Sequence, residues 1–161
     1  SPVTVEKLDA RTIRETPAAN FWDALNNVKG VDLGTQSINF KSVNLRGFGA
    51  NNNTRVVQWL DGMDTRSPGL GFGFGNVAGT SDLDVDNVEI VPGAASALYG
   101  PDALNDIVLT TTKSPFDYQG LSVQLKNGGN NVNSPATGPS LLTDYAVRYA
   151  RAFNDRFAFK L

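Results

Sequence analysis

The stretch DVDNVEIVPGAASALYGPDALNDIVLTTTK, residues 84–113, decides the fold. It reads as strand, turn, short helix, turn, strand. Val88 to Val91 is a β-rich run stopped by Pro92-Gly93, a pair that removes a backbone donor and then frees the backbone. Ala94 to Tyr99 is small and helix-friendly, and Gly100-Pro101 closes it. Ile107 to Thr112 is a second β-branched run. Both runs are short and largely apolar, so they belong inside a core. The helix between them is too short to stand alone and must pack on its neighbours.

Upstream, Pro2 to Leu8 alternates Val3 and Val5 with Thr4 and Glu6, an opening strand, and Asp9 to Glu15 holds a helical turn. Thr16-Pro17 starts a second helix with Pro at its first position. Phe21, Leu25 and Val28 share one face of it, and Gly30 ends it. Ile38 and Phe40 share a face of an extended segment, whereas Val43 and Leu45 follow the opposite phase. A bulge or a strand break near Lys41-Ser42 would reconcile them. Arg55 to Leu60 is a strand that runs into a tight hairpin turn at Asp61-Gly62. Residues 63–80 read as a long loop.

After Pro115 the pattern changes. Leu121, Val123 and Leu125 alternate with Ser122, Gln124 and Lys126. Tyr145, Val147 and Tyr149 alternate with Ala146, Arg148 and Ala150, with Phe153 in phase. Phe157, Phe159 and Leu161 alternate with Ala158 and Lys160. Arg151 is the misfit, an Arg in the apolar row, as expected near an interface. A connection of about 18 residues joins the first two strands, and a tight turn at Asn154-Asp155 joins the next two. An outer-membrane barrel alternates long and short connections in this way, and a soluble antiparallel sheet fits the alternation equally well. Three strands do not close a barrel, and the chain stops inside the third, so a longer polypeptide is expected. The start at Ser1 rather than Met suggests processing or trimming.

Composition narrows the chemistry. With 161 residues, the chain has room for a sizeable core. Basic and acidic residues number 14 and 16, which gives no support to a general nucleic-acid role. Without Cys or His there are no thiolate or imidazole zinc ligands and no Cys or Ser-His nucleophile. No run of about 20 apolar residues encodes a membrane-spanning helix. Gly73 to Ala78 fits G-x-G-x-x-A, but no strand leads into it and no amphipathic helix follows. Asp82, Asp84 and Asp86 start like a calcium loop, then fail at Asn87 and Gly93, where Gly and Glu are needed. No paired carboxylates sit in an apolar setting, so no enzyme activity, catalytic residue, cofactor or metal is expected.

Glu89 to Gly93, Ser96 to Gly100, Ala103 to Asn105 and Thr111 to Pro115 resemble the end of the plug domain of TonB-dependent outer-membrane receptors. Asn44 to Gly49 and Arg55 to Gly62 resemble two earlier blocks of the same plug, in the same order, over about 70 residues in all. The resemblance implies an α+β plug domain, a small mixed sheet with short helices, over residues 1–116. The first three antiparallel strands of a transmembrane β-barrel, incomplete, would follow over 117–161. It also implies a transporter that occludes a barrel of about 22 strands and takes up ligand through energised plug movement. The alternative is a plug-bearing barrel that serves as a non-transporting structural subunit of an outer-membrane complex.

The implied location is the outer membrane, with the plug inside the barrel and the N-terminus periplasmic. The implied partners are TonB with its inner-membrane energising complex, outer-membrane lipids and a surface lipoprotein. Siderophore, cobalamin, glycan and peptide receptors share these blocks, so the substrate stays open. The resemblance puts the ligand near two apex loops, 48–53 and 67–76, with Phe48, Gly49, Asn51, Asn52, Asn53, Arg66, Phe72 and Phe74 as candidate contacts. It makes Arg46 and Glu89 candidate anchors between plug and barrel. Arg46 in a local salt bridge with Glu89 or Asp61 is the competing reading. Two positions depart from the family pattern. Val91 leads straight into Pro92 without the usual basic residue, and Asp106 stands where Gly is common.

Overall fold

The computed structural model describes residues 5–16, 20–37, 40–45, 56–69, 79–92, 106–130 and 140–161. The chain divides into two compact units, Ser1–Thr112 and Lys113–Leu161.

The first unit contains strand β1 (Glu6–Asp9), helices α1 (Ala10–Glu15) and α2 (Phe21–Leu25), and strands β2 (Val31–Ser37), β3 (Phe40–Leu45), β4 (Val56–Leu60), β5 (Met63–Asp64), β6 (Val85–Pro92) and β7 (Asp106–Thr112). Five of the strands form a mixed sheet in the order β1-β6-β7-β4-β5, and β2 pairs with β3 apart from it. The two runs read first in the sequence are neighbours at the heart of this sheet. β6 and β7 pair antiparallel, Ile90 opposite Val108, while β4 joins β7 in parallel. Asp106 opens β7 in extended backbone, so its position makes no demand for Gly. The intervening Ala94–Tyr99 lies outside the described residues.

Alternation along these strands makes two apolar faces. Val56, Val88, Ile90 and Val108 turn to one side and pack with Leu8, Ile13, Phe21, Trp22, Leu25, Val31 and Val43. Val57 and Ile107 turn to the other side with Trp59, Val91 and Leu109. Each such buried side chain contributes about 1.5–3 kcal/mol. The helices are short because local capping starts and stops them. Asp9 is both the last residue of β1 and the cap of α1, its carboxylate accepting from Thr12 N at 2.7 Å. Asn20 caps α2 through Asp23 N, and Asp82 accepts from Phe21 N at 3.1 Å. The second helix therefore starts at Asn20 rather than Thr16-Pro17. Val28 stays in the core after the helix has ended, and Gly30 turns the chain at φ +80°. Asp82, the first of the three alternating aspartates, is thus a helix cap.

Strand β2 was not expected from its polar sequence. Its partner defines it: Val31 opposite Leu45, Leu33 opposite Val43. Neither a bulge nor a break falls at Lys41-Ser42 of β3, which pair with Thr35 and Gly34; the irregularity lies on β2, between Thr35 and Ser37, and Ile38 lies outside the described residues. The β4–β5 hairpin is as read, with both Asp61 (φ 48°) and Gly62 (φ 82°) left-handed, as a two-residue primed turn requires.

The second unit is a three-stranded antiparallel sheet in the order β10-β9-β8, with β8 Gly120–Asn130, β9 Ser140–Asn154 and β10 Phe157–Lys160. β8 and β9 pair without a break from Gly120–Ala150 to Asn130–Ser140. The Gly and Asn residues at 127–130 are drawn into this ladder, so the connection shrinks to residues 131–139. The tight turn is Asp155-Arg156, one residue later than read. Asn154 Oδ1 accepts from both Arg156 N and Phe157 N.

Candidate functional site

The first unit carries two of the candidate residues, Glu89 and Arg66, at described positions. Glu89 on β6 lies opposite Leu109, and Leu109 lies opposite Trp59, so Glu89 shares the face with Val57 and Ile107 and opposes the helices. Its carboxylate pairs with Lys7 Nζ of β1 at 2.8 Å, and that bond raises the Lys7 ammonium above its ordinary value. The anchor candidate is thus already bound to the edge strand at an exposed pair, a contact of little intrinsic strength.

Arg66 follows the hairpin and grips Asp64, with Nη2 to Oδ2 at 2.6 Å and Nε to Oδ2 at 2.9 Å. The Asp64 carboxyl is held below its ordinary value, first by the Arg66 hydrogen bond. Arg66 therefore shapes the loop start through Asp64. The other candidates, Arg46, Phe48, Gly49, Asn51, Asn52, Asn53, Phe72 and Phe74, lie outside the described residues, as does the Gly73–Ala78 motif. Residues 46–55 and 93–105 both join the sheet at one end, where β4 and β7 begin and β6 stops. β5 runs back along β4 toward that same end.

Asp61 was read as a turn residue only, and its carboxylate does more. It accepts from Thr112 N at 2.8 Å and Thr112 Oγ1 at 2.6 Å, while Asp61 N donates to Thr110 O at 3.0 Å. The hairpin turn thereby fastens the last residue of β7. A cleft of about 20 Å³ lies beside it, lined by Trp22, Gln58, Trp59, Thr65, Thr80 and Thr110. That volume suits one water molecule.

In the second unit the two faces differ sharply. Leu121, Val123, Leu125, Tyr145 and Val147 all point the same way and are exposed, Leu121 at 67% and Val147 at 62%. On the opposite face Arg148 is 4% exposed and Ala150 1%. Arg148 donates from Nη1 to Tyr118 O at 2.9 Å and from Nη2 to Lys113 O at 3.3 Å, and Lys160 Nζ donates to Lys113 O at 3.2 Å. Gln119 Oε1 accepts from Ala152 N. Residues 113–119 are therefore strapped to β9 and β10 before β8 begins. The alternation was legible in sequence, but the strap depends on backbone carbonyls, which leave no mark in residue identity.

The TonB-dependent Receptor Plug Domain model matches residues 1–105. The chain is 30% identical to the ferrioxamine receptor of Yersinia enterocolitica, covering 100% of this chain and 20% of that one. It is 28% identical to the vitamin B12 transporter BtuB of Vibrio vulnificus, covering 76% of this chain and 20% of that one. The chain thus spans about a fifth of the length of these curated relatives. The fold is that of the siderophore receptor PirA from Acinetobacter baumannii, with a TM-score of 0.68 at 18% identity over 97% of this chain and 23% of the other.

Proposed function

Because the chain belongs to the TonB-dependent receptor plug family, we propose that it is the front of an outer-membrane transporter, a plug over residues 1–116 and the first barrel strands over 117–161. The tail carries this reading: an exposed apolar row on one face of long antiparallel strands, with a buried Arg and Ala on the other. In water such a row costs roughly 25 cal/mol for each Å² exposed, whereas against lipid it is the stable arrangement. From Tyr145 to Phe153 the row runs eight residues, about 26 Å along the strand and about 20 Å in height at the usual tilt. That approaches the apolar belt of an outer-membrane wall.

In this reading the short turn at Asp155-Arg156 is periplasmic and residues 131–139 are outside. TonB pulls from the N-terminal side of the plug. Phe48, Gly49, Asn51 to Asn53, Arg66, Phe72 and Phe74 belong to the ligand end, and Arg46 and Glu89 face the wall. The ligand class is that of the named relatives, a scarce nutrient too bulky for simple pores, such as an iron chelate or a corrinoid. The protein transports and does not catalyse.

Expression of the full-length gene in a strain lacking its own uptake systems tests this. Ferrioxamine, hemin and cyanocobalamin are supplied in turn with and without a functional TonB. Uptake of one of them that stops without TonB supports transport. Outer-membrane assembly with no TonB-dependent uptake of any bulky nutrient would favour a structural subunit.

A further inference from the structure

Arg151 lies in the outward row of β9, between Tyr149 and Phe153, where every neighbour in phase is apolar. It stands opposite Phe159 of β10. Its guanidinium carbon is 5.4 Å from the centre of the Phe153 ring. Phe153 stacks on Phe159 at 5.8 Å and meets Phe157 at 5.6 Å, and Tyr149 touches Phe159 at 5.8 Å. One ring thus lies beside an exposed cation, and that ring belongs to a cluster of four. Among the described residues no carboxylate is paired with it.

We infer that Arg151 and its surrounding rings form a binding site for the phosphate of a phospholipid in the periplasmic leaflet. The inference rests on the lipid-facing reading of the tail. Asp155 of the short turn is four residues away, about 13 Å along the strand and about 10 Å in height. That depth puts the Arg151 backbone near the inner edge of the headgroup layer, and the side chain reaches outward to it. A cation held in the apolar layer needs an anion or water. Phe153 covers one side of the guanidinium, and its donor edge is open to a phosphate, whose oxygens match that fork. The same rings offer a flat surface to the first methylenes of the acyl chains.

The test uses full-length receptor extracted in mild detergent and titrated with phosphatidylglycerol under native mass spectrometry. The native protein should retain a tightly held lipid, and Arg151→Gln should weaken that binding about fivefold, the equivalent of about 1 kcal/mol. Arg151→Lys should restore part of it. Inorganic phosphate should not displace the lipid. If Arg151→Gln assembles poorly, Phe153→Leu keeps the charge, removes the brace and should also weaken retention. Equal lipid binding by native and Gln proteins would overturn the site. So would displacement by inorganic phosphate, or loss of a dimer rather than of lipid in the Gln variant. Failure of the native receptor to fractionate with the outer membrane would instead sink the membrane reading, before any lipid is added.

Discussion

Asp61→Ala removes two supports at once. The carboxylate that accepts from Thr112 N and Thr112 Oγ1 disappears. These bonds have a charged acceptor, but Asp61 is exposed, so water recovers much of their worth and about 1 kcal/mol is lost. Alanine must also hold φ near the 48° of Asp61, which costs about 1 kcal/mol more. The sum, about 2 kcal/mol, should appear locally as a roughly 30-fold faster hydrogen exchange of the Thr112 amide in the full-length receptor. Asp61→Gly separates the terms. It loses the bonds but relieves the left-handed backbone, so exchange should rise only about fivefold. Asp61→Asn keeps the backbone preference and one acceptor and should change least. The Val88 amide in neighbouring β6 serves as the internal reference. Equal effects of Ala and Gly would refute the strain argument. An unchanged Thr112 amide in all three variants would refute the fastening itself.

Arg148→Met should loosen residues 113–119, and limited proteolysis between Phe116 and Tyr118 should quicken about tenfold, since Tyr118 O and Lys113 O each lose their Arg148 donor while Lys113 O keeps its bond from Lys160. If the exposed apolar row of the tail meets lipid, as proposed, Val147→Lys should cost about 2–4 kcal/mol and lower the yield of heat-modifiable barrel, whereas Gln124→Lys on the other face should assemble normally. The Asp64 carboxyl titrates below its unfolded value, so its contribution is present above about pH 4 and vanishes as pH falls through the folded value. Asp64→Asn should therefore lower stability by a few tenths of a kcal/mol at neutral pH and leave it unchanged in acid, so the acid limb of the denaturation curve flattens.

The parts legible in the sequence were those where one residue's chemistry imposes one backbone. Asp61-Gly62 fixes a primed turn, β-branched runs at 88–91 and 107–112 make core strands, and alternation from Leu121 to Phe159 makes a two-faced sheet. What stayed hidden depends on partners distant in the chain. β2 carries Asp32, Gly34 and Thr35, and becomes a strand only because Val43 and Leu45 stand opposite it. The parallel junction of β4 with β7 joins residues about 50 apart and has no local signal. Helix α2 begins where Asn20 and Asp82 supply acceptors, and Asp82 comes from more than 60 residues away. For the candidate site, the family resemblance marked Arg66 and Glu89, while their partners Asp64 and Lys7 depend on how the strands come together.

The two ends of the first unit are gripped unequally. Its rear strand, β7, is zipped along both flanks and finishes at Thr112, the residue that Asp61 fastens. Among the described strands its front strand, β1, pairs with β6 alone, over four residues. A tug on the front peels one short seam, and the same tug on the rear must shear two long ones. Of the two, the leading thread is the one that comes loose.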